Sequence, residues 1–138
     1  MEQHGMESRL DDEMKASDIL SEFPASLTWA SDPRTRKVTC MAHIDLNALK
    51  LATHGGRRTQ TLTLVAALRD AAGNLLPGKR SEVELNLKSD TLAKMVAAGG
   101  FGIVVTLEAP PGAHTARGLV RDGIEGKMVT SSQELRFP

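Results

Sequence analysis

The sequence predicts an all-β fold, an immunoglobulin-like antiparallel β-sandwich with one short connecting helix, and three observations carry that prediction. Short apolar-polar alternations recur along the chain; successive side chains of a strand point to opposite faces, so each alternation supplies one wall of a sheet. Gly, Pro, Asn and Asp separate these segments at about the spacing that sandwich turns show. One stretch alone changes to a helical period.

Residues 1–17 are polar and acidic, with Asp11, Asp12 and Glu13 in succession and Met6, Leu10 and Met14 four apart. A short helix with nothing to pack on is unstable in water, so 1–17 reads as a flexible or partly helical lead-in and 18–138 as the sandwich domain. In residues 19–29, Ile19, Leu20, Phe23, Leu27 and Trp29 can lay the chain onto the sandwich, while Pro24 prevents a continuous helix. The turn signal Ser31-Asp32-Pro33 precedes the first predicted strand, 36–46, which puts Val38, Cys40, Ala42, Ile44 and Leu46 on one face.

A loop containing Gly55-Gly56 leads to a strand over 59–69. Leu62, Leu64, Ala66 and Leu68 face inward there, while Thr61, Thr63, Val65 and Ala67 face outward. Both faces are apolar or β-branched, as in a central strand. Asp70 to Asn74 makes a hairpin turn with Gly73. In 81–88, Val83, Leu85 and Leu87 alternate with polar residues. Leu92, Met95 and Val96 then stand three and four apart, with Ser89 or Asp90 placed as N-cap and Gly99-Gly100 as the stop, which predicts the short helix. A strand over Phe101–Glu108 ends at Pro110-Pro111-Gly112, 114–121 returns, Asp122-Gly123 with Gly126 turns the chain, and 127–137 closes the fold.

A chain of 138 residues can bury roughly two thirds of its unfolded surface as one domain. Its one cysteine, Cys40, leaves no internal disulfide. Lys+Arg and Asp+Glu balance at 17 each, which removes the positive field that nucleic-acid binding depends on. Aromatics are 3% of the chain, without a tyrosine, so platforms for stacking bases or sugars are nearly absent. No stretch approaches the roughly 20 apolar residues of a membrane span, and Glu2, His4 and Glu7 stand where a secretory signal has basic and then apolar residues.

Candidate chemistry is sparse. Cys40 and His43 are three apart on a strand and project from opposite faces, which separates a thiol from its base; Cys40 reads as a buried, inert thiol. His43 and Asp45 share a face and His54 follows in the next loop, which makes them weak candidates for a metal site, without the tight spacing of a zinc motif. Asp70 with Asn74, and Asp122 with Glu125, offer oxygens around glycine turns but read as turn chemistry. The Gly99-Gly100-Phe101-Gly102 run precedes a strand and has no P-loop lysine. Ser81, Ser131 and Ser132 have no nucleophile-elbow context. No catalytic residue and no cofactor is predicted.

The stretch from Thr61 to Lys79 (TLTLVAALRDAAGNLLPGK), the helix Asp90-Thr-Leu-Ala-Lys, the stretch from Ala109 to Asp122 (APPGAHTARGLVRD) and the terminal GKMVTSSQEL from Gly126 resemble the C-terminal region of the von Willebrand factor A-related proteins of acidobacteria. The resemblance covers roughly residues 18–138. It implies a multi-domain bacterial protein, periplasmic, cell-surface or secreted, with an A-type domain N-terminal to this module. The Asp-x-Ser-x-Ser metal sequence of an A-type domain is absent here, so that metal site is not carried over. His114 stands where the pattern usually has an aromatic residue.

The expected function is therefore a non-catalytic module, a structural or protein-interaction appendage of a larger extracytoplasmic protein. Binding is expected at exposed edge strands or at the loops 47–59 and 109–114. The alternative is a metal-dependent sugar-binding module or small metal-assisted hydrolase using His43, Asp45 and His54. Self-association through an unpaired strand is a third expectation.

Overall fold

The computed structural model describes residues 2–138, with side chains from Ser8 onward; the Met6 side chain lies outside the described residues. The elements run α1 (Glu2–Lys15), β1 (Ala25–Asp32), β2 (Lys37–Ile44), β3 (Ala52–His54), β4 (Arg57–Arg69), β5 (Lys79–Leu87), α2 (Ser89–Ala97), β6 (Phe101–Glu108), β7 (Gly112–Asp122) and β8 (Met128–Phe137). All strand pairs are antiparallel. One sheet has the order β1-β2-β6, and the other runs β5-β4-β7-β8. Arg58 and Thr59 pair with both β3 and β5, and Leu62 to Ala66 pair with both β5 and β7. A strand has two edges, so β3 shares the β7 side of β4. Two antiparallel sheets face each other across one core, the predicted immunoglobulin-like sandwich.

The alternations decide what fills that core. Val38, Cys40, Ala42 and Ile44 of β2 are fully buried, as are Leu62, Leu64 and Ala66 of β4. Ile103, Val105 and Leu107 of β6 join the same cluster. Trp29 of β1 donates from Nε1 to Ser131 Oγ of β8 at 3.1 Å and so ties one sheet to the other. α2 carries the chain between the sheets, from β5 to β6. Its N-cap is Lys88, in extended conformation, in place of the expected Ser89 or Asp90. The helix starts directly off the end of β5, so the last extended residue becomes the cap; the Asp90 carboxylate accepts from the Thr91 amide instead. Gly99 and Gly100, both at positive φ, end it as predicted.

Two strands depart from the sequence reading. β1 (Ala25–Asp32) forms where residues 19–29 read as a covering segment and Ser31-Asp32-Pro33 as a turn, and its inward residues Ala25, Leu27 and Trp29 are only half-buried at the edge of the sheet. The loop 47–59 contains β3, a three-residue strand with every residue exposed.

The lead-in, expected to be flexible or partly helical, carries the helix α1. α1 docks on the outer face of the larger sheet, where Leu10 and Met14 pack with Ala67, Leu119 and Met128. Strand arginines hold it there. Arg117 of β7, fully buried, donates from Nε and Nη2 to the Glu13 carbonyl at 3.1 and 2.7 Å. Arg69 of β4 donates from Nη2 to the carbonyls of Met14, Lys15 and Ala16. Cations at the open carbonyls of a helix C-terminus satisfy both its orphan acceptors and its dipole. Burial pulls the Arg117 guanidinium below its ordinary value, against the opposing pull of the nearby Glu13 carboxylate. From the helix side, Arg9 Nη2 donates to both carboxylate oxygens of Glu22 at 2.8 and 2.9 Å, and Glu22 also accepts from the Met128 amide. Burial opposes ionisation of Glu22, but that amide and Arg9 outweigh it and hold the carboxyl below its usual range.

Candidate interaction surface

The residues singled out for chemistry are mostly occupied by structure. Cys40 is fully buried, and burial pushes its thiol up to about 12; His43 projects from the exposed face of the same strand. His43 and Asp45 border one open depression of about 370 Å³, beside Ala25, Ser26, Asn47 and Gly99. His54 is not part of it and sits at the tip of the β3–β4 hairpin. Among the described residues no three of His, Cys, Asp and Glu come together as metal ligands.

The glycine turns use their carboxylates internally. Asp122, 2% exposed, accepts from the amides of Ile124, Glu125 and Lys127. Asp70 accepts from those of Ala72 and Asn74. Ser131 is bonded to Trp29 and Ser132 to Arg117 Nη1. An open groove of about 420 Å³ at the far end of β7 and β8 is bordered by Asp70, Glu134 and Arg136. His114 adjoins it and is 6% exposed, with no hydrogen-bond partner for Nδ1.

The two outer faces of the sandwich contrast. α1 lies on that of the larger sheet. On the smaller sheet, register sorts the outward residues into rows across β1, β2 and β6. Asp32, Lys37 and Glu108 form a charged row at one end. Three rows without a fixed charge follow: Ala30, Thr39 and Thr106; Thr28, Met41 and Val104; Ser26, His43 and Gly102. Met41 and Val104, 44% and 49% exposed, are among the most exposed large apolar side chains described, and they are directly paired. The Thr39 and Thr106 hydroxyls bond each other at 3.3 Å. Small, β-branched and uncharged residues make this face flat and cheap to dehydrate.

Sequence reasoning named edge strands and loops as binding places but did not find this face. Its signal was the lack of charge at alternate positions of three segments, and only the register shows that they adjoin. Of the two predicted binding loops, 47–59 folds partly into β3. Residues 109–114 are tied down at Ala109, whose amide and carbonyl both bond Arg36 in the β1–β2 turn.

No protein-family description matches the chain, and no curated protein matches it. Among solved structures, it is similar to hypothetical protein PH1083 from Pyrococcus horikoshii OT3, at 12% identity and TM-score 0.47, over 92% of this chain and 99% of that one. It is also similar to part of the Bacteroides uniformis β-glucuronidase 2, at 16% identity and TM-score 0.43, over 89% of this chain but 13% of the enzyme's. At these identities the likeness concerns the fold alone. A sandwich of this kind hosts many unrelated roles.

Proposed function

We propose that this chain is a non-catalytic β-sandwich module, a structural or protein-interaction appendage of a larger extracytoplasmic protein of the von Willebrand factor A-related kind that its segments resemble. The observation that carries this reading is the contrast between the outer faces, one closed by α1 and the other presenting Met41 and Val104 in an uncharged field. Polypeptide partners seal against such a surface at small desolvation cost, and the Asp32, Lys37 and Glu108 row supplies a polar rim at one end. The extracytoplasmic assignment rests on the resemblance. Nothing in the geometry favours the metal-dependent alternative, since His54 stands apart from His43 and Asp45.

The test is comparative capture from an envelope extract of the source bacterium with the wild-type chain and with Met41→Lys. A protein held in stoichiometric amount by the wild type and released by the charge supports the reading. Reproducible turnover of any substrate, lost on a point substitution, removes it.

A further inference from the structure

The smaller sheet ends in β6, and β6 pairs only with β2 among the described residues. Alternate N–H and C=O groups of an edge strand point away from its one neighbour and form a template for another strand. Natural edges are guarded by charge, proline or cover, and the other outer strands here follow that rule. β5 carries Lys79, Arg80, Glu82 and Glu84. β8 carries Glu134 and Arg136, and its first residues are bonded by residues 20–22. β1 is built largely of Ala, Ser and Thr between Pro24 and Pro33, and its Trp29 is hooked to Ser131.

β6 has none of these guards over Phe-Gly-Ile-Val-Val-Thr-Leu, residues 101–107. That run is β-branched and aromatic, without charge or proline, the composition that pairs most readily with another strand.

We propose that β6 is a self-pairing edge, at which two copies of this chain join antiparallel about a two-fold axis through Val104. This rests on the interaction-module reading and names its partner as a second copy. Residues opposed across an antiparallel ladder share a face, so a strand pairing with its own copy opposes residues whose numbers sum to an even value. The axis at Val104 is the allowed one that uses the whole uncharged run: Ile103 meets Val105 of the other copy, Gly102 meets Thr106, and Phe101 meets Leu107. Glu108 of each copy then lies opposite Gly100 of the other, and the two Glu108 carboxylates stand at opposite ends of the ladder. The three-stranded sheets merge into one of twice the width, and the row of Thr28, Met41 and Val104 continues across the axis into its own copy. Such a contact is isologous and closed, so pairing stops at two copies.

The experiment measures mass by light scattering at two concentrations. It then measures the rate at which a short bismaleimide links Val104→Cys to itself, with Ser26→Cys on the same face as control; buried Cys40 does not compete. The expected results are a mass that rises toward twice 14.8 kDa with concentration, and linkage about tenfold or more faster at 104 than at 26. Val104→Lys, at an exposed position, gives a single-chain mass with an unchanged unfolding midpoint. A single-chain mass at both concentrations with equal linkage rates overturns the proposal, and so does a dimer that survives Val104→Lys. Failure here leaves the broader reading standing if Met41→Lys still releases a captured protein.

Discussion

Gly118 of β7 and Trp29 of β1 compete for one space between the sheets: a Cβ built on Gly118 would stand 2.9 Å from Trp29 Cζ2 and 3.0 Å from Cys40 Sγ. The indole closes over bare backbone, and from there its Nε1 reaches Ser131, the residue paired with Gly118 across the β7–β8 ladder.

Gly118→Ala therefore overpacks the sandwich and is expected to cost about 1–3 kcal/mol, read as a shift in the urea midpoint at constant slope. Part of that cost is relieved in a Cys40→Ala background, so the two substitutions are expected to couple. Strict additivity would show that Cys40 Sγ does not defend the space.

Arg117→Met leaves the Glu13 carbonyl without its charged donor and is expected to cost about 2 kcal/mol. Hydrogen exchange then accelerates in the last turn of α1 before it does in β2 or β4. Arg117→Lys restores the charge but not the two-nitrogen grip, and recovers only part of the loss. Unchanged exchange in α1 would mean that the Arg117 bonds do not hold the helix.

His114→Phe replaces a buried imidazole whose Nδ1 lacks a partner with an apolar ring of similar shape. It is expected to stabilise by about 1 kcal/mol, seen as a higher midpoint in thermal unfolding. A lower midpoint would show that the imidazole has a role in the folded chain.

Cys40 makes stability depend on alkaline pH. Its thiol rises from the ordinary 9.0 to about 12 on folding, so between those values the unfolded chain has lost a proton that the folded chain keeps. The contribution is fully present below pH 9 and falls by about 1.4 kcal/mol per pH unit above it. The difference in unfolding free energy between wild type and Cys40→Ala is expected to be flat near neutrality and to shrink above about pH 9. Native Cys40 should resist alkylation at pH values where a denatured sample reacts.

Three strands were legible because each carries its own evidence: Val38 to Ile44, Leu62 to Leu68 and Ile103 to Leu107 alternate on a period of two. β1 was not, because its inward residues Ala25, Leu27 and Trp29 are only half-buried, where Ile103, Val105 and Leu107 of β6 are buried. The outward apolar residues Val65 and Ala67 read only as the mark of a central strand; their cover, α1, is held by Arg69 and Arg117 reaching carbonyls some 50 and 100 residues earlier in the chain. Neither local propensity nor periodicity registers such a contact. Likewise Met41 and Val104 are unremarkable singly, and become a surface only through the register between β2 and β6.

Hydrogen exchange of the wild-type chain at two widely separated concentrations tests the recognition edge most directly, because half of the β6 amides point away from β2. If β6 pairs with its own copy, those alternate amides within 101–107 exchange freely in the dilute sample and become protected in the concentrated one, while β5 and β8 do not change. Protection that is independent of concentration in β6, or that appears instead along β5 or β8, would contradict it.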